Sequence, residues 1–164
     1  MTETKVIVIT LISTALIIIG GIFLASRLSS SPQVESSSGA KVKVEKTSHD
    51  WGEVGIKNGK VEASFEIENT GEENLKLYNV KTSCDCTTAQ LSSGNNTSPS
   101  FGMHDNSSYI LEVPPKIKAN LKVVFDPAYH GPDSVGPITR QINIQTNDKD
   151  QTLLSFILSG TVVR

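Results

Sequence analysis

The chain has 164 residues, a length that allows one ordinary domain and a short additional segment. Its 15 Lys and Arg residues nearly balance its 17 Asp and Glu residues, so it lacks the basic surplus that nucleic-acid binding requires. Two cysteines and three histidines are too few for a disulfide-dense scaffold or for a site with several metal ions.

An uncharged apolar segment follows a short head formed by residues 1–5. It runs from Val6 to Ser26 and lies between Lys5 and Arg27. At about 1.5 Å per residue, a helix of this length crosses the ~30 Å hydrocarbon core of a bilayer. Residues 6–26 are therefore predicted to form a transmembrane signal anchor in the cell membrane.

A cleaved secretory signal is the alternative for this segment. Such a signal has an apolar region of about 7–15 residues, followed by small residues at alternate positions before the cut. The observed run is longer, and Phe23 occupies one position where a small residue is expected. An anchor with so short a head leaves the N-terminus in the cytoplasm, so we expect residues 41–164 to be extracytoplasmic.

Two segments differ in character after the apolar run. Residues 27–40 are rich in serine and show no apolar periodicity, which is typical of a flexible linker. From Lys41 onward, apolar and polar residues alternate with a period of two, and this pattern predicts strands with one buried face. The clearest apolar stripe comprises Val61, Ala63, Phe65 and Ile67.

About seven alternating stretches, separated by turn sequences, predict one antiparallel β-sandwich over residues 41–164. Gly71, in the turn Asn69-Thr70-Gly71, is expected to supply a positive φ. Residues 92–108 interrupt the alternation with mostly Ser, Asn and Gly. They predict one long polar loop that is either functional or mobile.

Several short motifs in residues 49–87 carry a family resemblance. The segment opens with His49-Asp50-Trp51-Gly52, passes through Asn69-Thr70-Gly71 and reaches Ser-Cys-Asp-Cys-Thr at its end. This pattern resembles bacterial domain-of-unknown-function family 1573, and the resemblance extends over roughly residues 41–164. It implies an immunoglobulin-like sandwich, related to major-sperm-protein and cilium-associated modules, on secreted or anchored bacterial proteins. The family has no established activity.

Two features depart from that family pattern. Asp85 stands between the cysteines where glycine is usual, although glycine permits a tight bend more freely. The loop at 92–108 also looks inserted.

Cys84 and Cys86 are the only candidates for reactive chemistry. On a regular strand, side chains two residues apart point to the same face, about 6.6 Å apart. A disulfide needs Cβ atoms about 3.5–4.5 Å apart, so a bridge requires a bend at Asp85. Three readings remain open: a structural bridge or buried thiols, a metal-binding pair, and a redox-active pair.

A metal site would need ligands besides the two cysteines. Met103 and His104, in the polar loop, are a thioether and an imidazole that suit copper or zinc. His49 and His130 are further candidates, but no second ligand motif has diagnostic spacing.

Composition and motifs favour a protein that is not an enzyme. His49 and Asp50 stand in a predicted turn, where Asp50 is expected to accept hydrogen bonds from local amides and Trp51 to close the end of the core. No nucleophile or metalloprotease motif accompanies them. We therefore expect an anchored module that binds a protein or a cell-envelope polymer; the alternative is a metal-handling or thiol-redox protein that uses Cys84 and Cys86.

Overall fold

The computed structural model describes residues 3–28 and 32–164. They fall into two compact units, an N-terminal helix and a β domain that begins at Pro32. Residues 1–2 of the predicted head and residues 29–31 of the predicted linker lie outside the described residues.

Helix α1 spans Glu3–Leu28, so it begins before and ends after the predicted span at 6–26. Its described apolar side chains between residues 7 and 22 are exposed, and its length and composition suit a membrane span or a signal sequence. The hydroxyls of Ser13 and Thr14 both donate to the carbonyl of Thr10, at 2.9 and 2.6 Å. Polar groups of this segment are therefore satisfied within the helix, as an apolar surrounding requires.

The β domain consists of two five-stranded sheets with the orders β1-β3-β8-β5-β6 and β2-β10-β9-β4-β7. All pairings between named strands are antiparallel except that of β2 with β10, which is parallel and departs from the predicted antiparallel arrangement. The strands are β1 Val42–Lys43, β2 Ser48–Gly55, β3 Val61–Asn69, β4 Leu75–Thr82, β5 Thr87–Ser93, β6 Asn96–Thr97, β7 Ile110–Val113, β8 Lys118–Phe125, β9 Gly136–Thr146 and β10 Leu153–Val163.

The core lies between the inward faces of the two sheets. Phe65 from one sheet and Phe156 from the other pack with ring centroids 4.9 Å apart. A smaller apolar cluster lies at one end and contains Ile56, Cys86 and Phe125. Apolar side chains alternate along the long strands β3 and β8, and each of these strands buries one face, as the period of two predicts.

The last part of the predicted linker is not a flexible tether. Ala40 is fully buried, and Ser37 forms a bridge to Asp148 in which its amide donates to the Asn147 carbonyl at 2.7 Å. The Ser37 hydroxyl also accepts the amides of residues 39 and 40, each at 3.0 Å. These hydrogen bonds fix residues 36–40 on the domain, so the linker predicted at 27–40 is shorter than its composition suggests.

Gly71 allows this close packing through its missing side chain, and it is not among the residues with positive φ. A Cβ at this position would lie 2.2 Å from the Gly39 carbonyl oxygen and 2.6 Å from the Lys41 nitrogen. The prediction that Gly71 supplies a positive φ is wrong; it is needed because another backbone segment passes over it.

Residues 92–108 are also not one continuous loop. They include the end of β5, a turn at Gly94 and the short strand β6. Phe101 is buried and forms an isolated bridge to Ala89. The irregular part therefore consists mainly of the residues between Phe101 and β7, with a shorter stretch at residues 98–100.

Candidate functional site

The segment between β4 and β5 forms a tight corner that brings the two sulfur atoms together. Cys84 and Cys86 are joined by a disulfide, with their Cα atoms 5.3 Å apart. The Cys84 carbonyl accepts the Thr82 hydroxyl at 3.1 Å and the Thr87 amide at 3.1 Å. Asp85 is not among the residues with positive φ, so this bend does not depend on the glycine usual in the family pattern.

The two sulfurs of this corner have different surroundings. Cys86 is buried, and the Nε of Arg140 on β9 donates to its sulfur at 3.1 Å. Cys84 is half-buried, and its sulfur lies 3.3 Å from Nε2 of His130 in the loop after β8. One sulfur is thus accessible and next to an imidazole, while the other is enclosed and next to a cation.

Arg140 is held in place by two interactions besides its hydrogen bond to the Cys86 sulfur. Its Cζ lies 5.3 Å from the centroid of the Phe125 ring, and its Nη1 donates to the Thr139 carbonyl at 2.8 Å. Phe125 is in turn stacked by Trp51, and the centroids of the two rings lie 5.4 Å apart. Burial lowers the pKa of the Arg140 guanidinium from its ordinary value. An arginine remains charged at neutral pH.

Three irregular segments converge around the disulfide, and we call them the loop cluster: residues 83–86, 102–108 and 126–135. His104 Nε2 lies 3.6 Å from an Asp85 carboxylate oxygen, and Lys81 donates to the Asn106 side chain at 2.9 Å. The 126–135 loop is tied to the corner through the Asp126 amide, which donates to the Cys86 carbonyl at 2.9 Å.

The loop cluster presents apolar and aromatic groups to solvent. Tyr129 is 55% exposed and packs edge-on against His130 at 5.1 Å. Val135 is also exposed. A cavity of about 250 Å³ opens nearby between residues 99–101 and 105–107.

The loop cluster lies at the opposite end of the sandwich from the point where the chain enters it. Strand β8 starts level with β1, since Glu68 on β3 pairs with Lys43 on one side and Lys118 on the other. It finishes at Phe125, which packs with Cys86. Eight residues of strand, about 26 Å, separate these ends.

The structure brings together some of the predicted metal ligands and separates others. Cys84, Cys86 and His130 place one ligand atom each within 4.8 Å of one another, the one such group of His, Cys, Asp and Glu found among the described residues. His104 instead lies beside Asp85, and Met103 is half-buried in the same loop. Thiolate and imidazole suit zinc or copper, but the two sulfurs are bonded to each other and must be reduced before they can bind a metal.

The residues of the His49-Asp50-Trp51-Gly52 motif have structural roles. Asp50 accepts the Gly52 amide at 2.9 Å, as expected of its side chain, but the motif lies within strand β2 and not in the predicted turn. Trp51 packs on the smaller apolar cluster and donates from Nε1 to the Glu62 carbonyl at 3.1 Å, as expected for a residue that closes the core. His49 packs edge-on against Trp51 at 5.8 Å.

Arg140 is the functional candidate that the sequence did not reveal. Its position on β9 is far from the cysteines along the chain, and only the antiparallel pairing of β4 with β9 brings it to the corner. The sequence indicates His130 only as one of several candidate metal ligands.

The architecture defines an immunoglobulin-like β-sandwich domain preceded by an apolar helix, and it confirms the predicted fold class. Residues 42–99 match the family described as "Protein of unknown function (DUF1573)", which confirms the family resemblance over this part of the chain. The match ends within the segment 92–108. No curated protein matches this sequence.

Solved structures show the same fold at low sequence identity. A protein of unknown function from Porphyromonas gingivalis W83 is 21% identical with a TM-score of 0.55; the alignment covers 76% of this chain and only 49% of that protein. The seventh ASH/PapD-like domain of human CEP192 is 15% identical with a TM-score of 0.50, over 82% of this chain and 93% of that domain. The CupB6 tip adhesin of Pseudomonas aeruginosa is 15% identical with a TM-score of 0.52, over 78% and 44% of the two chains.

Proposed function

We propose that this protein is a membrane-anchored, extracytoplasmic binding module whose loop cluster contacts another protein or a cell-envelope polymer. The observation that carries the proposal is the convergence of three irregular segments, with exposed Tyr129 and His130, on one end of a rigid sandwich. Surface loops held by a rigid scaffold are where binding residues concentrate.

Two further features support this assignment. The cluster is at the end of the sandwich opposite to β1, where the domain's first strand begins. The fold is shared with a tip adhesin and with a PapD-like domain, which fits a binding role by analogy of architecture.

Contact through the loop cluster is tested by photocrosslinking in living cells. A photoreactive amino acid replaces Tyr129 in one strain and Ile117 in another; both positions are exposed, at 55% and 46%. Ile117 precedes β8, whereas Tyr129 follows it, so the control position lies at the opposite end of the sandwich. We expect a discrete adduct from position 129 and none from position 117.

A second arm of this experiment places the crosslinker at Val135 and adds Tyr129→Ala. If Tyr129 is part of the contact, the adduct from position 135 should weaken. Equal adduct yields from positions 129 and 117 would contradict the proposal.

The anchor is tested separately by extraction of membranes with alkaline carbonate. The wild-type chain should stay in the pellet, and Ile12→Arg, which places a charge in the middle of the span at a cost of about 3 kcal/mol, should reduce that fraction. Ile117→Arg makes the same kind of change in the domain and should leave the fraction unchanged. Digestion of residues 41–164 by protease added to intact spheroplasts would support the extracytoplasmic orientation, and full protection would contradict it.

A further inference from the structure

The disulfide corner has an asymmetry that a purely structural bridge does not need. Cys84 is half-buried, whereas Cys86 is buried and receives a hydrogen bond from the Nε of Arg140 at 3.1 Å. Thiol–disulfide exchange requires one sulfur that an incoming thiolate can reach and another that leaves as a stable thiolate. The two cysteines meet these requirements separately.

We propose that Cys84 and Cys86 form a redox-active pair that exchanges its disulfide with the dithiol of another extracytoplasmic protein, with Cys84 attacked first and Cys86 leaving beside Arg140. This activity goes beyond the binding function proposed above; it rests on the proposed extracytoplasmic location but not on contact through the loop cluster.

The first step breaks the bond between the two cysteines. A thiolate of the partner attacks Sγ of Cys84, a new sulfur–sulfur bond forms, and the electron pair of the old bond passes to Cys86 as a thiolate. The fixed positive charge of Arg140 stabilises that thiolate, and a thiol with a more stable anion is a faster leaving group.

The second step releases the partner. The second thiolate of the partner attacks the partner's sulfur in the mixed disulfide. A disulfide forms within the partner, and the sulfur of Cys84 leaves with the electron pair. His130, whose Nε2 lies 3.3 Å from the Cys84 sulfur, is placed to donate a hydrogen bond or a proton to it. The partner is oxidised to a disulfide, the pair is reduced by two electrons, and the two protons of the partner dithiol pass to the new thiols or to solvent.

Arg140 also favours this reading over a metal site. Its guanidinium has no acceptor capacity, donates to one of the two sulfurs a metal would need, and repels a cation brought to the same atom. A redox pair uses the same charge directly, because the species to be stabilised is an anion.

The first test measures how fast the disulfide is reduced in the full-length chain in detergent micelles. Dithiothreitol is the probe, and free thiols are counted after alkylation. Arg140→Gln should slow reduction by roughly threefold or more, since it removes the charge beside the leaving sulfur. Arg164→Gln is the matched control, because Arg164 pairs with exposed Asp133 at 3.1 Å, and it should leave the rate unchanged.

Arg140→Lys keeps the charge and should restore most of the rate if Arg140 acts on the leaving thiolate. The fluorescence of Trp51, the single tryptophan, shows whether each variant keeps its fold. Equal rates for Arg140→Gln and Arg164→Gln would overturn the proposal, as would a disulfide that dithiothreitol reduces only in the unfolded chain.

The second test asks which sulfur is attacked. In Cys86→Ser the remaining Cys84 should form a mixed disulfide with oxidised glutathione at least about tenfold faster than Cys86 does in Cys84→Ser, because Cys86 is buried. Equal or reversed rates would overturn the assigned order. If the reduced wild-type chain instead bound one zinc or cuprous ion, added alone, and then resisted reoxidation by glutathione disulfide, the corner would be a metal site and the proposal would be wrong.

Discussion

The carboxylate of Asp148 accepts a hydrogen bond from the backbone amide of Val42 at 2.9 Å, across 106 residues of sequence. Asp148 is buried, and it also accepts the Asp150 amide at 3.0 Å. Lys41 lies 3.5 Å from the same carboxylate. One buried acidic side chain therefore joins the start of the domain to the turn between β9 and β10.

This arrangement predicts that the domain loses stability in acid. Burial of Asp148 opposes its ionisation, but the amides of Val42 and Asp150 and the charge of Lys41 outweigh burial and lower its pKa below the ordinary value. A group with a lowered pKa in the folded state contributes stability above its unfolded pKa, near 3.9, and this contribution disappears as the pH falls through the folded value. The free energy of unfolding should therefore decrease as the pH falls below about 4.

Asp148→Asn tests the origin of that loss. Because one amide would face an NH₂ group, we expect a cost of about 1–3 kcal/mol at pH 7 and a weaker dependence on pH below 5 than in the wild type. Urea denaturation followed by Trp51 fluorescence measures both. Asp133→Asn changes an exposed carboxylate that pairs with Arg164 and should have little effect. An unchanged acid dependence in Asp148→Asn would contradict the assignment.

A methyl group at position 71 should release the segment that precedes β1. In Gly71→Ala the new Cβ would lie 2.2 Å from the Gly39 carbonyl oxygen, and this neighbour is backbone that cannot rotate away. We expect a loss of about 1–3 kcal/mol in the free energy of unfolding and easier proteolysis before Val42. Gly102→Ala meets only a side-chain oxygen at 3.4 Å and should change stability by less than about 0.5 kcal/mol. Equal effects of the two variants would show that the close approach is not limiting.

The alternation of apolar residues was enough to predict the sandwich but not all of its strands. Strands such as β3 and β8 have large apolar side chains at every second position, so their buried face is visible in the sequence. The buried face of β5 consists of Thr87, Ala89, Leu91 and Ser93. Three of these four side chains are small or polar, so the sequence of this strand resembles that of a loop. β2 lies at a sheet edge and has little to bury, which explains why its polar sequence did not indicate a strand.

The candidate site was only partly predictable for a related reason. The spacing of Cys84 and Cys86 showed that a bridge needs a bend, and the structure has that bend. The residues that contact the sulfurs are determined by packing between segments that are distant in sequence. The periodic pattern of apolar residues does not show which loops are in contact with each other. His104, in the predicted loop, is nearer to the cysteines in sequence than His130 is, but it lies beside Asp85. The side chains that contact the sulfurs are those of His130 and Arg140.

Phe101 should be essential for the fold although it lies in a polar stretch. It is buried, exchanges backbone hydrogen bonds with Ala89 at 2.8 and 2.9 Å, and packs against Tyr109 at 6.3 Å. Phe101→Ala should lower the free energy of unfolding by about 3 kcal/mol or more, because it leaves a cavity in the core. Leu153→Ala removes an exposed apolar side chain and serves as the control in the same urea experiment. Similar midpoints for the two variants would mean that residues 92–108 are a dispensable loop after all.

The disulfide should contribute little to the stability of the sandwich. A pair that cycles between two redox states requires a domain that stays folded in both. A bridge between residues two apart in sequence closes a very small loop, and the chain-entropy model gives it about 2 kcal/mol or less. The double variant Cys84→Ser/Cys86→Ser should therefore remain folded, with Trp51 still stacked on Phe125 and a modestly lower urea midpoint. Dithiothreitol should lower the midpoint of the wild type by a similar amount and leave the double variant unchanged. Complete unfolding of either sample would show that the bridge is a structural requirement and would leave no room for a reduced working state.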